Sequence, residues 1–558
     1  MQWSEVCKSY SDQWLVIEAL QAHTTPDSHR HLEEVAVIER CDSGSDAMMS
    51  YRNLHQQYPT REFYFVHTSR EKLDIRERQW IGIRRDNGSG FGGTMQLSLE
   101  SDFAPFAERM RAEKLPEIVI RTFQYYYKQL VEGHTGLISE AEVRPVESLP
   151  DLEALPARLA EVGRAALPRA LLLKLNGGLG TGMGLEKAKS LLTVKDGLTF
   201  LDVAAHQALS SGVPLVLMNS FNTRADSLAA LRRYPELWGD LPLDFLQHKA
   251  PKVAQADLRP VDWPADPELE WCPPGHGDIY TALVTSGLLD ALIAKGYAYA
   301  LVSNADNLGA ILDPVILGYF VENQLPFLME VADRTAADRK GGHLARRIDG
   351  GLILRESAQC PPEDADAFQE IDRHKYFNTN NLWLSLPALK QLLAERDGIL
   401  GLPMIRNHKT VDPRDPDSTP VYQLETAMGA AIALFAGAGA LRAPRTRFAP
   451  VKTTDDLLAV RSDAYVLTDD YQVIPDPART LGPIMVSLDP AYYRLIDDLE
   501  ARFPYGPPSL IACEGLTVRG DVRFGRAVTC RGIVEIVNES GAQAEIADGA
   551  VVEGVVAF

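Results

Sequence analysis

The spacing of apolar positions changes along the chain and divides it into four segments. Residues 1–92 combine strand-like runs with one helical run, which predicts a small α+β module. Residues 93–165 carry apolar residues at helical spacing and then several prolines, which predicts a helical segment with a linker. A turn-rich stretch at 85–93 ends the first segment. The predicted strands of the module are 14–19, 34–38 and 62–66, and its predicted helix is 46–57.

Strand and helix signals alternate in the third segment, residues 166–479. The alternation predicts a mostly parallel sheet covered on both faces, in which ligands bind beyond the carboxyl ends of the strands. The predicted strands are 170–175, 214–218 and 298–303, and the predicted helices are 200–210, 226–234 and 279–294. The apolar run 427–441, rich in glycine and alanine, is too short to span a membrane and predicts a buried helix.

The fourth segment, residues 480–558, repeats its apolar positions every six residues. The two rows are Leu516, Val522, Val528 and Val534, and Val518, Phe524, Cys530 and Ile536. This step is typical of a parallel β-helix, although an antiparallel meander is an alternative. A short coil leaves an open end and edges, which a partner subunit would cover. We therefore expect a homo-oligomer formed through this segment or through the N-terminal module.

Composition and charge narrow the classes of partner. The 558 residues are 46% hydrophobic and 24% charged, as in ordinary globular proteins, and the net charge is −20. So acidic a chain predicts no general affinity for nucleic acid or for anionic membranes. Six cysteines without a CxxC pair, and an N-terminus without a signal-peptide pattern, predict a cytoplasmic protein. Local clusters of lysine then indicate where a phosphorylated substrate would bind.

A glycine-rich stretch directly follows the first predicted strand of the third segment. Residues 175–184 contain five glycines in eight positions, which lets backbone N–H groups approach an anion or a flat base. The spacing fits neither a P-loop nor the dinucleotide fingerprint. Lys187 and Lys189 follow the glycines, and Lys174 and Lys195 flank them. This stretch, called the glycine loop below, predicts a phosphate or nucleotide site.

A second turn, residues 273–278, opens the predicted helix 279–294. Asp278 is predicted to cap that helix. Gly275 and Gly277 leave room for a ligand beside the backbone, and the histidine between them, His276, is predicted to be functional rather than structural.

Three further stretches carry polar side chains suited to binding. Asp306 follows the predicted strand 298–303, where a carboxylate can hold Mg²⁺ against a phosphate, although a turn or helix cap is an equal alternative. Residues 377–381 place three amides in four positions, which suits sugar hydroxyls or base edges and equally suits a turn. Lys452 precedes a predicted helix start, and alone it indicates nothing.

Taken together, these motifs resemble the eukaryotic-type UTP–glucose-1-phosphate uridylyltransferases, also called UDP-glucose pyrophosphorylases. The matching motifs, in the family's order over about residues 165–558, are LKLNGGLGTGMG, PLVLMNSFNT, PPGHGD, LVSNADNLGA, FNTNNLW, QLETAMGAAI and RFAPVKTTDDLL. The N-terminal 92 residues lie outside the resemblance. The resemblance implies an α/β fold, with a glycosyltransferase-A-like (Rossmann-like) mixed-sheet catalytic domain and a C-terminal left-handed parallel β-helix.

The resemblance also implies roles for residues at matching positions. The implied nucleotide-binding residues are Leu175, Asn176, Gly177, Gly178, Gln247 and Gly275. The implied sugar-phosphate-binding residues are His276, Asn304, Glu356, Asn378 and Asn380. Asp306 matches the magnesium ligand, and Lys189 and Lys452 match the two phosphate-binding, catalytic lysines. One departure is clear: Lys187-Ala188 stands where the family usually has Gly-Pro, so the path of the loop is open.

The implied reaction joins UTP and glucose 1-phosphate into UDP-glucose and pyrophosphate, with Mg²⁺ as cofactor. A sugar-phosphate oxygen would attack the α-phosphorus in line, so alignment and charge neutralisation matter more than a general base. A UDP-N-acetylhexosamine or broad UDP-sugar pyrophosphorylase is one alternative, and Asn176 and the FNTNNLW stretch favour the glucose enzyme. A non-catalytic sugar-nucleotide sensor, with residues 1–92 as output module, is another; retention of Lys189, Asp306 and Lys452 counts against it.

Overall fold

The computed structural model describes residues 1–24, 30–41, 43–58, 61–70, 73, 94–185 and 187–558. The chain separates into two compact units, Met1–Met95 and Gln96–Phe558. The turn-rich stretch predicted at 85–93, and with it the predicted boundary at residue 92, lies outside the described residues.

The first unit contains a three-stranded antiparallel sheet with Trp14–Thr24 in the middle. Its strands are Trp14–Thr24, Arg30–Cys41 and Phe63–His67, and its helices are Trp3–Ser9 and Gly44–Gln57. Leu15 and Ile17, two residues apart, point into one core with Val6 and Val66 because strand side chains alternate between faces.

Two helices open the second unit: Thr94–Ala112, whose first two residues are counted in the first unit, and Glu117–Val131. The apolar residues at helical spacing pack as an aromatic cluster, with the Phe106 and Tyr127 ring centroids 4.9 Å apart. The strand Val143–Pro145 then pairs with His343–Arg347. The segment predicted as helices and a linker therefore also contributes a strand to the central sheet.

A ten-stranded sheet forms the centre of the second unit. Its strands are Val143–Pro145, Ala170–Asn176, Leu215–Asn219, Asp244–Leu246, Tyr299–Asn304, Phe327–Asp333, His343–Arg347, Leu352–Arg355, Tyr376–Ser385 and Gly439–Arg442. Ala170–Asn176 is parallel to both of its neighbours, whereas Tyr376–Ser385 is antiparallel to both of the strands that it pairs along its length. The predicted α/β class with a mixed sheet is confirmed, and the sheet is less parallel than the alternation of elements alone predicts.

Two cores lie on opposite faces of this sheet. Leu171 and Leu173 point into one core, and Leu172 points into the other. The covering helices are Leu159–Ala166, Phe200–Ser211, Phe221–Leu231, Ile279–Thr285, Leu288–Ala294, Pro314–Glu322, Ala365–Gln369 and Leu386–Glu395. The helix Thr454–Arg461 packs instead into a core shared with the C-terminal segment. Because both faces of Ala170–Asn176 are buried, its first four residues form a continuous apolar run in the sequence.

The single helix predicted at 279–294 is wrong, because the structure has two helices there, Ile279–Thr285 and Leu288–Ala294. Gly287 separates them with a φ of +73°, a left-handed conformation that ends one helix and turns the chain by 67° into the next. No single helix in the described ranges is long and apolar enough to cross a membrane, and this bent pair passes such a test only when joined.

The buried helix predicted at 427–441 is also wrong. The run is buried for much of its length but forms a 3₁₀ helix, Met428–Ala433, and a strand, Gly439–Arg442, that is parallel to Phe327–Asp333. The glycines explain the difference, since Gly437 has a φ of +82° and ends any helix before the strand begins.

Short strands outside the central sheet complete the catalytic part. They are Thr193–Lys195, Leu198–Thr199, Ala250–Pro251, Val253–Ala254, Trp271–Cys272, Met404–Thr410, Pro420–Thr426, Tyr465–Leu467 and Val473–Pro475.

The C-terminal segment winds through two parallel sheets. Its strands are Met485–Leu488, Cys513–Arg519, Val522–Phe524, Thr529–Val537, Ala544–Ile546 and Val551–Ala557, and its helices are Pro490–Tyr493 and Ile496–Arg502. The eight residues of the two apolar rows are all buried, and Leu516 lies opposite Val534 in parallel register. The antiparallel alternative is therefore wrong.

Candidate active site

The strand Ala170–Asn176 delivers the glycine loop at its carboxyl end. The buried Asn176 amide donates to Asn219 Oδ1 at 2.7 Å and to Ser227 Oγ at 2.8 Å, so this side chain ties neighbouring elements together beneath the loop. The Leu175 carbonyl accepts the Ala305 N–H at 3.0 Å. The Asn176 amide nitrogen and the Leu175 carbonyl are therefore both bonded within the protein, which leaves the other groups of these two residues to face a ligand.

Gly177, Gln247 and Gly275 form one contact group. The buried Gln247 amide donates to the Gly275 carbonyl at 2.9 Å, and a Cβ at Gly177 would lie 2.9 Å from Gln247 Oε1. A Cβ at Gly275, which has a φ of +80°, would overlap the Thr426 backbone. Three residues predicted to bind the nucleotide therefore lie together.

Gly178 faces open space. A Cβ built there meets no atom within 4 Å, while the Gly178 carbonyl accepts the Lys189 N–H at 3.1 Å. The protein itself therefore imposes no steric requirement for glycine at this position, and a ligand lying on the loop is a reason for it.

His276 is held as a neutral imidazole. Its Nδ1 accepts the Met428 N–H at 3.0 Å, so the ring proton belongs on Nε2, which is free to donate. Burial lowers the pKa of His276 to about 4, because the charged form loses its hydration. At neutral pH this residue is a hydrogen-bond donor without a charge.

Asp278, which was predicted to cap its helix, binds His248 instead. Its carboxylate accepts the His248 backbone N–H at 2.7 Å and pairs with His248 Nδ1 at 2.9 Å, and it makes no capping bond to its own helix. The prediction fails because a partner distant in sequence competes for the carboxylate.

Asp306 contacts one candidate lysine directly and the segment of the other through a backbone hydrogen bond. Lys189 Nζ lies 2.7 Å from Asp306 Oδ2, and both side chains are partly exposed. The Asp306 carbonyl accepts the Val451 N–H at 3.3 Å, which brings the neighbouring Lys452 to the same loop. Lys189 and the segment that carries Lys452, more than 250 residues apart in sequence, thus converge on Asp306 at one strand end.

Three of the predicted sugar-site residues, Asn378, Asn380 and Glu356, form a second group near Lys452. The Asn378 amide donates to Asn380 Oδ1 at 2.9 Å, and the Asn380 N–H returns a bond to Asn378 Oδ1. Asn380 has a φ of +58° in a bulge of its strand, which sets its side chain apart from the regular alternation. Burial raises the pKa of Glu356, against the opposing effects of Asn378 and Lys452.

Asn304 lies at the carboxyl end of its strand, half-buried and in register with Leu175. This position places it between the glycine loop and Asp306.

At Ala188, where the family usually has proline, the backbone keeps a conformation that proline also adopts. Ala188 has φ −52° and ψ 127°, and a proline at this position would hold φ near the same value. The chain after Ala188 therefore enters the Lys189–Leu191 turn along a path that proline permits.

One cation of the site was missed in the sequence. Lys340 lines a cleft of about 660 Å³ together with Lys452 and Arg445. Side chains at Gly341 and Gly342 would overlap Phe377 and the Glu356 carboxylate, respectively. The signal was the Lys-Gly-Gly run, in which two glycines that pack against site residues follow a lysine.

The side chains around Asp306 offer few ligands for a metal ion. Within the described residues, no three or more histidine, cysteine, aspartate or glutamate side chains cluster as a metal site. The protein thus offers one carboxylate here. Mg²⁺ commonly binds through one or two carboxylates with substrate phosphates completing its coordination, so this residue fits that ion when a polyphosphate is present.

Comparison with known proteins places this site in a family. Residues 120–531 match the family described as UTP–glucose-1-phosphate uridylyltransferase. The enzyme of that name from Solanum tuberosum is 43% identical over 419 residues, covering 74% of this chain and 84% of its own. The one from Saccharomyces cerevisiae is 42% identical over 397 residues, covering 70% and 78%.

Solved structures agree with the sequences. The UDP-glucose pyrophosphorylase of Leishmania major superposes with a TM-score of 0.77 at 45% identity, covering 82% of this chain and 99% of its own. The UDP-glucose phosphorylase of Trypanosoma brucei gives 0.74 at 47%, covering 82% and 100%. With most of its length matched in sequence and in fold, this chain belongs to the UTP–glucose-1-phosphate uridylyltransferase family.

Proposed function

We propose that this chain transfers the uridylyl group of UTP to glucose 1-phosphate, forming UDP-glucose and pyrophosphate. The observation that carries the proposal is the convergence of Lys189 and the Lys452 segment on Asp306, beside the glycine loop. Two anionic substrates must be brought together in a chain of net charge −20, and these are the cations that would hold them. The activity in the names of the relatives agrees with this assignment.

The nucleotide would lie on the glycine loop. Backbone groups of Leu175 and Asn176, with the Gly177–Gln247–Gly275 group and the open side of Gly178, would contact uracil and ribose. The glucosyl phosphate would lie on the other side of Asp306, against His276, Asn304, Glu356, Asn378 and Asn380.

Asp306 would hold Mg²⁺ jointly with substrate oxygens, and the ion would neutralise phosphate charge. The chain's own part is alignment. Lys189 and Lys452 would donate to phosphate oxygens and balance the charge that builds up as the sugar-phosphate oxygen attacks the α-phosphorus. His276, fixed by the Met428 N–H, would donate from Nε2 without adding a charge that depends on pH.

The sugar range decides between this function and a broader UDP-sugar or UDP-N-acetylhexosamine pyrophosphorylase. The test is the rate of UDP-sugar formation from UTP with glucose 1-phosphate and, separately, with N-acetylglucosamine 1-phosphate at equal concentration. We expect glucose 1-phosphate to be strongly preferred. Equal rates would favour the broader enzyme, and no product from either would favour a non-catalytic sensor.

We also propose the finer architecture. The catalytic part is of the glycosyltransferase-A type, and the C-terminal coils form a left-handed β-helix whose open end and edges make a homo-oligomer contact, alone or with residues 1–92. The parallel pairing of the C-terminal strands supports the coil. The protein would act in the cytoplasm, without nucleic-acid or membrane partners, in keeping with its charge. Sedimentation of the full chain and of chains lacking residues 1–92 tests the assembly.

A further inference from the structure

Lys174 is a buried lysine directly behind the Asp306 loop, residues 303–310. It lies on the central strand Ala170–Asn176 with 1% of its surface exposed. Its Nζ donates to Ser303 Oγ at 2.9 Å and to the Ala310 carbonyl at 3.0 Å. These two acceptors stand at the first and last residues of the loop, so a single ammonium group closes it across its base.

Both ends of that contact are as buried as the lysine. Ser303 and Ala310 are 0% exposed, so water does not replace either bond when it breaks. Burial lowers the pKa of Lys174 to about 7, with Arg447 acting in the same direction and Asp306 and Glu330 opposing. Burying an amine at such a position costs folding free energy unless hydrogen bonds satisfy it.

The carboxylates near Lys174 have other hydrogen-bond partners. Glu330 accepts from Arg447 Nε at 2.7 Å and from Trp383 Nε1 at 2.8 Å, so it compensates the arginine. Asp306 Oδ2 faces Lys189 on the substrate side of the loop. Lys174 thus bonds the loop from its inner side and Lys189 from its outer side.

We propose that Lys174 is a positioning residue, which joins the strand of the glycine loop to the Asp306 loop and so fixes Asp306 relative to the nucleotide. The adjacent Leu175 carbonyl, which accepts the Ala305 N–H, adds a second tie from the same strand. The inference rests on the proposed function for what Asp306 does, and on the structure alone for what Lys174 holds.

The test compares Lys174→Met with Lys252→Met in the full chain. Lys252 is a matched control, because it is a lysine 4% exposed whose Nζ donates to one carbonyl, that of Val411, at 2.8 Å. Amide hydrogen exchange of residues 303–310 is the first readout, since it reports local opening without any catalysis. We expect exchange there to rise at least about tenfold in Lys174→Met and to stay unchanged in Lys252→Met.

The Mg²⁺ concentration for half-maximal rate is the second readout. We expect it to rise about tenfold or more in Lys174→Met, with the KM for glucose 1-phosphate changed far less. Ser303→Ala removes one acceptor and should give a smaller effect of the same kind; it carries the test if Lys174→Met does not fold. Unchanged exchange at 303–310, or equal effects of both lysine substitutions, overturns the proposal. If the unmodified chain makes no UDP-glucose and Lys174→Met still alters exchange at 303–310, the proposed function is refuted and the role of Lys174 stands.

Discussion

Two adjacent glycines of the loop allow packing within the protein to be separated from packing against the nucleotide. Gly177→Ala would place a methyl group 2.9 Å from Gln247 Oε1. Gly178→Ala would place the same methyl group where no protein atom lies within 4 Å. Neither glycine has a positive φ, so alanine adds no backbone strain at either position.

The surroundings of each glycine determine the expected changes in folding stability and in nucleotide affinity. In Gly177→Ala, the methyl group must move Gln247, whose amide bonds Gly275, and overpacking of this kind costs about 1–3 kcal/mol. In Gly178→Ala, folding should be unchanged or gain up to about 1 kcal/mol, because alanine restricts the unfolded chain. If the nucleotide covers Gly178, its affinity should fall at least about tenfold, or 1.4 kcal/mol.

The measurements are chemical denaturation and calorimetric binding of UDP-glucose to both variants. We expect Gly177→Ala to lose stability and affinity together, and Gly178→Ala to lose affinity alone. Normal UDP-glucose binding by Gly178→Ala would refute the placement of the nucleotide on the loop. Unchanged stability of Gly177→Ala would refute the bracing of Gln247.

The other predictions concern charge, protonation and the loop's path. Lys189→Ala and Lys452→Ala should each lower kcat about 10²–10³-fold with folding little changed, because each removes one preorganised cation; near-normal turnover in single-turnover kinetics would refute the role. The His276 imidazole should show no NMR titration between pH 6 and 8, because its pKa is lowered to about 4; a midpoint near 6.5 would contradict the buried neutral form. Since the unfolded chain takes up this proton first, the unfolding free energy should fall as the pH drops from 6.5 towards 4, and His276→Gln should flatten that slope. Ala188→Pro should keep activity and gain about 0.4–1 kcal/mol of stability, because φ there is already −52°; loss of activity would show that the loop needs more freedom.

Local patterns predicted those features whose cause is local. The six-residue apolar step in 480–558 places Leu516 opposite Val534, because each coil must bury the same side. Asp306 could be placed from its position after a strand, since the carboxyl ends of parallel strands share one edge of the sheet.

Features set by distant partners were not predictable in this way. Asp278 has a capping sequence but bonds His248, 30 residues away. The apolar run 427–441 has no strand-like alternation, because its strand is buried on both faces beside Phe327–Asp333. The sequence marks Lys174 only as one of several lysines that flank the glycine loop, and only the fold shows that its side chain points inward to Ser303.

The roles of the site residues came from the family resemblance and not from their spacing. Asn378 and Asn380 are equally typical of a turn, and their mutual hydrogen bonds show why: the pair shapes a bulge as well as a surface for ligands. The physical signal that separates the two uses is burial beside Glu356, which the sequence does not carry.

The central claim is attack of glucose 1-phosphate on the α-phosphorus of UTP. The direct test follows two labels, with UTP carrying phosphorus-32 at the α position in one reaction and at the γ position in another, each with Mg²⁺ and with or without glucose 1-phosphate. The account predicts that the α label moves into UDP-glucose and the γ label into pyrophosphate, and that neither moves without the sugar phosphate. Release of the γ label as phosphate, or release of pyrophosphate in the absence of glucose 1-phosphate, would contradict it.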